Sequence, residues 1–163
     1  MRNLEVTLSA LAIFPAQLAS YFASFPAHRR GFKPLSWDGI PSEKLSAIEQ
    51  ICHVRDIEIE GYQTRFRRTC SEDNPILPDL PGESMAMARN YAASDPAAVL
   101  SEFGAARCAT VAAIRAFTAA QLERSATFEG RPTTLRGLVH LLCSHDFQHL
   151  AGMQWLLAKL PAD

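Results

Sequence analysis

Two histidines one helical turn apart, His145 and His149, are the residues of this 163-residue chain best placed to do chemistry. With Leu135, Leu138, Leu142, Gly152, Leu156 and Lys159 they follow a three-four spacing, the inward seam of a helix in a bundle. Two imidazoles thus stand where the pattern expects leucine. Buried polar groups need partners, and two imidazoles on one helical face converge on a shared ion, as in helical zinc sites. The alternative is a pair of core histidines satisfied by hydrogen bonds. His140 points roughly opposite to His149 at ~100° per residue, and reads as surface or peripheral packing.

A catalytic metal needs a third ligand from elsewhere in the fold. His28 stands beside Arg29 and Arg30 and reads as solvated. His53 belongs to a polar line, Glu49, His53, Asp56 and Glu60, at the edge of an apolar helical face. Pattern alone leaves that line facing either water or a polar cavity.

The elements that must carry these residues are helical. Hydrophobic residues make up 48% and charged residues 20% of the sequence, the balance of an ordinary folded domain, and 163 residues suffice for one core. Proline and glycine divide the chain into four long helical segments. The first runs from Leu4 to Phe25, with Pro15 marking a kink or a start. After a loop holding Trp37, Ser42 is the expected N-cap of the second. Residues 71–82 contain three prolines and break the helix, and a short helix is expected from Ser84 to Tyr91. Asp95-Pro96 opens the third segment, and Thr133 or Thr134 caps the fourth, which runs to Leu160. No stretch shows sustained period-two alternation, so strands are not expected. The long connection between the second and third helices suggests a crossover rather than an up-down-up-down order.

The formal net charge of −1 gives no electrostatic reason to expect nucleic acid, and the Arg65, Arg67, Arg68 cluster reads as a solvated helix end. Four cysteines without a C-x-x-C pair read as reduced, buried thiols of a cytoplasmic protein. Residues 8–14 imitate a signal-peptide core, but Glu5 precedes them and Arg2 alone is basic. No apolar run reaches the ~20 residues of a membrane span, and no membrane association is expected.

Further residues carry a resemblance over nearly the whole chain. These are Pro34-Leu35-Ser36-Trp37 before the second helix, Ile51-Cys52-His53-Val54-Arg55-Asp56 within it, and Thr134 to His140 followed by His145-Asp146-Phe147-Gln148-His149-Leu150. Together they resemble the DinB-like family of four-helix-bundle metalloproteins, which includes the YfiT-type metal-dependent hydrolases. The resemblance implies one all-α domain over residues 1–163, an up-down-down-up four-helix bundle. It implies a metal held by His53, His145 and His149, with nickel or zinc as the usual ion, and pairing into homodimers. Asp56, one turn from His53, is then either a partner that orients the imidazole, with a catalytic role, or a plain exposed carboxylate.

An open three-histidine site leaves a position for water or substrate, and two enzyme chemistries on a small molecule follow. One is metal-assisted hydrolysis. The other is transfer to a low-molecular-weight thiol acting as co-substrate, which the lack of a general base placed by sequence favours. A metal-binding or stress-related binding module without turnover is the alternative. Cavity shape discriminates them, since an enzyme needs a concave pocket and a structural site is closed.

Overall fold

The computed structural model describes residues 2–161. The first long helix, α1, spans Arg2–Ala23 and runs through Pro15 without ending there. The second long helix is built in three parts: α2 over Ala47–Asp56, a π-helical turn over Ile57–Tyr62, and α3 over Gln63–Ser71. Its N-cap is Ser46, not Ser42: the backbone N–H and the hydroxyl of Ser46 both donate to the Glu49 carboxylate at 2.8 Å. This is a capping box, and the Ser-x-x-Glu spacing that makes it lies in the sequence four residues beyond Ser42.

The crossover over residues 72–95 carries strand β1 at Ile76–Leu77 and helix α4 at Gly82–Ala88. Helix α5, Pro96–Ala116, starts as its sequence requires, with the Asp95 side chain accepting from the Ala97 N–H at 3.1 Å. The short α6 at Ala119–Leu122 leads into strands β2, Ser125–Phe128, and β3, Arg131–Thr134. Thr134 then caps α7, Leu135–Lys159, by accepting from the Gly137 N–H at 3.1 Å.

α1 packs on α5 and α7, and the second long helix packs on the same two. The four helices form an up-down-down-up bundle with the long crossover between the second and third. The all-α four-helix bundle is as expected, and three short strands correct only the expectation that no strand forms. β2 and β3 form an antiparallel hairpin, and β1 adds parallel to β2. Glu129 and Gly130 both take positive φ at its tip, the backbone a tight primed turn requires. Each strand is at most four residues long, so alternation never accumulates into a detectable period.

The apolar core falls into two parts. Phe14, Phe22, Ile51, Phe103, Met153 and Leu156 belong to one, and Leu8, Leu11, Ile57, Phe66, Leu138 and Leu142 to the other. Between them the second long helix, α5 and α7 carry buried polar groups: His53, Glu58, Arg107, Asp146 and His149. The functional residues occupy this belt. Lys159 leaves the α7 seam, lying exposed with its ammonium 5.2 Å from the Trp155 ring. α1 and α5 are long and apolar enough by composition to cross a membrane, which the sequence reading did not allow, yet both pack within the bundle.

Candidate metal centre

α2 supplies His53, α7 supplies His145 and His149, and the loop preceding α2 supplies Glu43. One ligand atom from each of these four residues lies within 4.8 Å of all the others. The Nε2 atom of His145 is 3.3 Å from that of His53 and 3.2 Å from that of His149. The Glu43 oxygens lie 3.3 Å from His53 Nε2 and 3.2 Å from His149 Nε2. His53 is 1% and His149 0% exposed, so the polar line on α2 faces inward at this point.

Neighbouring groups fix the rings. The Gln50 side-chain amide donates to the Leu45 carbonyl at 3.3 Å, which turns its oxygen toward His149 Nδ1 at 3.0 Å. His149 therefore carries its proton on Nδ1 and points the Nε2 lone pair into the cluster. Gly152 makes this possible, since a Cβ there would lie 3.1 Å from Gln50 Oε1 and collide with Ser42 Oγ. Gly82, the first residue of α4, closes over His53: a Cβ on it would lie 2.5 Å from Cε1 and 2.6 Å from Nδ1.

The electrostatics suit a cation. Burial holds the acid constants of His145 and His149 below the usual imidazole value, so these rings are neutral and keep their lone pairs. Burial pushes the Glu43 carboxyl up, but the adjacent His149 and His53 rings outweigh it and hold the group below the ordinary carboxylate range, ionised. Several lone pairs and one negative charge thus face one another in a buried space. They repel unless a positive charge lies among them, and three imidazoles are a donor set for zinc or nickel, with the Glu43 carboxylate beside them to balance its charge.

The cluster opens on a cavity of about 680 Å³ between α7, the β2–β3 hairpin and the π turn, bordered by Glu43, His53 and His145 at one end. Tyr62, Arg65, Phe128 and Arg131 also border it. His140 lies on the same cavity, with Nδ1 3.3 Å from Thr7 Oγ1, and stays outside the four-residue cluster. Burial pushes the Tyr62 phenol up beyond its usual range.

Asp56 stands elsewhere. It is buried, but its carboxylate accepts from the Tyr91 hydroxyl at 2.5 Å, Arg89 Nη1 at 2.7 Å and Arg55 Nε at 2.8 Å. These bonds tie the second helix to the crossover, and none of them reaches His53. Burial pushes the Asp56 carboxyl up, while Tyr91, Arg55 and Arg89 hold it below the ordinary carboxylate range. A depressed acid contributes stability above its unfolded-state value of 3.8 that is lost as pH falls through the lower folded one. Asp56→Asn is therefore expected to lower unfolding free energy by ~1.5–3 kcal/mol at neutral pH, a deficit that fades in acid. Urea denaturation across pH, with metal content measured alongside, checks this; unchanged stability with lost metal would return Asp56 to the site.

Sequence reasoning missed Glu43, which sits in an irregular stretch where no period applies. Arg65 is also corrected: it is 2% exposed, not solvated, and stacks between the rings of Tyr62 and Phe128 at 4.8 and 4.3 Å.

Residues 10–153 match the model of the DinB superfamily. The chain belongs to that family. The fold is also that of YfiT from Bacillus subtilis, described as a probable metal-dependent hydrolase with an unusual four-helix bundle topology. The two superpose with a TM-score of 0.82 over 94% of this chain and 85% of the other, at 18% sequence identity. No curated protein matches the sequence.

Proposed function

We propose that this DinB-family chain is a metal-dependent hydrolase of a small molecule, with His53, His145, His149 and Glu43 around a zinc or nickel ion. The observation that carries the reading is the convergence of these four residues within 4.8 Å at the end of an open 680 Å³ cavity. A closed structural site would have no such cavity beside it, which speaks for an enzyme over a binding module without turnover. When bound, the ion would lower the pKa of a water or polarise a carbonyl.

The chain's own residues divide the remaining work. Gln50 holds the His149 tautomer, and Gly82 confines the His53 ring. Glu43, ionised and 37% exposed, can take a proton at the cavity end of the cluster. Thiol transfer was favoured in the sequence because no base could be placed there, and Glu43 removes that ground. A low-molecular-weight thiol remains the co-substrate of the second reading. The homodimer and the cytoplasmic location stay proposals; the four free cysteines support the latter.

Metal analysis of untagged protein, followed by ester and amide hydrolysis with and without added thiol, tests the proposal. Glu43→Gln is expected to retain the ion and lose hydrolysis; loss of the ion instead would make Glu43 a ligand. Turnover that appears only with thiol present would favour transfer. Absence of any retained divalent metal would end both readings.

The pH dependence follows from burial. The folded imidazoles bind protons only below their usual 6.5, so the ion should stay bound through neutrality and be released at lower pH. Metal content after equilibration between about pH 8 and pH 4 checks this. Release centred above the ordinary histidine value would contradict the neutral-imidazole site.

A further inference from the structure

The cavity wall contributed by the π turn and α3 carries two polar side chains that the metal centre does not use. Tyr62 is 4% and Arg65 2% exposed, and both border the cavity. Among the described residues the Tyr62 hydroxyl has no hydrogen-bond partner. The Arg65 guanidinium is sandwiched between two aromatic rings, so its hydrogens point outward in its own plane. Its Nε and Nη2 share one acceptor, the Pro78 carbonyl, at 3.3 and 3.1 Å. The nearest carboxylate, Asp79, is 3.9 Å away and 67% exposed, beyond hydrogen-bond length and screened by solvent. Nη1 has no hydrogen-bond partner among the described residues and lies over Gly61, 3.2 Å from where a Cβ would be. Neither the Tyr62 hydroxyl nor Arg65 Nη1 is sealed from solvent, so both donors are free to serve an acceptor that enters the cavity.

The π turn brings them there. Nine residues of regular helix would carry Tyr62 to the face opposite His53. The wider π turn adds a residue's worth of phase, and Tyr62 borders the same cavity, its ring centroid 6.2 Å from that of His145. Ile57, Leu80, Phe128 and Leu141 give the cavity apolar surface, beside the polar side chains of Asp79, Thr133, His140, Ser144 and Gln148.

We infer that Tyr62 and Arg65 form an oxyanion-binding subsite, so that the substrate is a small molecule carrying a carboxylate or phosphate group. The inference rests on the reading of this cavity as the substrate cavity. Guanidinium and phenol together supply charge-assisted and neutral donors to one anionic oxygen group, leaving the rest of the substrate to extend toward the histidines. Glu43, Asp79 and Glu129 line the same cavity against Arg65 and Arg131, so net charge does not attract the anion; the placed donors do.

The test uses chelator-stripped protein, so that no metal competes for the anion. Benzoate and phenyl phosphate are titrated by calorimetry, with neutral benzamide as control. At least one anion is expected to bind about tenfold or more tighter than benzamide, and which one does so identifies the group. Tyr62→Phe, which keeps the ring and its packing, is expected to weaken that anion about tenfold. Arg65→Gln should abolish the preference over benzamide, with the helix signal confirming its fold. Equal binding of benzamide, no binding of either anion, or an unaltered Tyr62→Phe would overturn the inference. A chain that never retains metal would refute the hydrolase and leave this experiment readable.

Discussion

His145→Ala is expected to lower metal affinity by more than about 100-fold while the bundle stays folded. Replacement of residues that merely orient a metal ligand already costs ~10–100-fold, and His145 is the middle of the cluster. Its Nε2 lies 3.3 and 3.2 Å from those of His53 and His149, so its loss leaves a gap between the remaining donors that side-chain motion alone cannot close. On the packing side, alanine leaves a cavity costing ~1–3 kcal/mol. Part of this is offset, because the His145 Nδ1 is buried with no partner among the described residues. A domain of this size has ~5–15 kcal/mol to lose. Metal content and the far-ultraviolet helix signal of the variant are the measurements. Full occupancy without His145 would mean the wrong ligands were chosen. Unfolding on metal loss would make the ion structural.

How far the sequence carried this site depends on the kind of helix involved. α7 carries a three-four seam of leucines, so His145 and His149 stood out against it, and Thr134 and Asp95 could be read as caps from residue type. α2 is different. Gln50, Ile51, Cys52, His53 and Val54 are all buried, because α4 and the Tyr91 turn cover the side that α5 and α7 leave open. On a helix buried on every side the polar line through His53 could face water or a cavity, and His53 became a ligand only through resemblance to a family.

Glu43 and Arg65 escaped for a second reason. Their surroundings are made by segments distant in sequence: Glu43 by both helices of the histidine cluster, Arg65 by a ring from the missed hairpin. A cluster of three arginines looks solvated until something covers one of them. The π turn leaves no signature in residue type either, and it is what sets the phase of Glu58 and Tyr62.

Arg107→Met is expected to be the most destabilising single change in the chain, at ~3–5 kcal/mol, the usual cost of breaking a buried ion pair from one side. Arg107 is 1% exposed at the centre of the bundle. It donates to both oxygens of Asp146, at 2.6 and 3.0 Å, to Glu58 at 2.9 Å, and to the Leu11 carbonyl at 3.2 Å. One guanidinium on α5 thereby joins α1, the π turn and α7 beside His145. Methionine fills much of the space but leaves two buried carboxyl groups without a cation.

The pH dependence has a definite sign. Burial pushes the Asp146 carboxyl from 3.8 up to about 7 even with Arg107 in place. The folded state therefore holds a proton that the unfolded chain releases, and this group's contribution is full below 3.8 and lost as pH rises through about 7. Without the guanidinium Asp146 favours its protonated form still more, so the deficit of Arg107→Met should be largest above neutrality and shrink toward pH 5. Urea denaturation of both proteins over that range measures it. Replacing Glu58 and Asp146 by apolar residues as well should recover most of the loss, because a buried charge network exchanged as a whole for hydrophobic side chains is often neutral. A deficit under about 1 kcal/mol, typical of an exposed ion pair, would mean that the three helices do not depend on this junction.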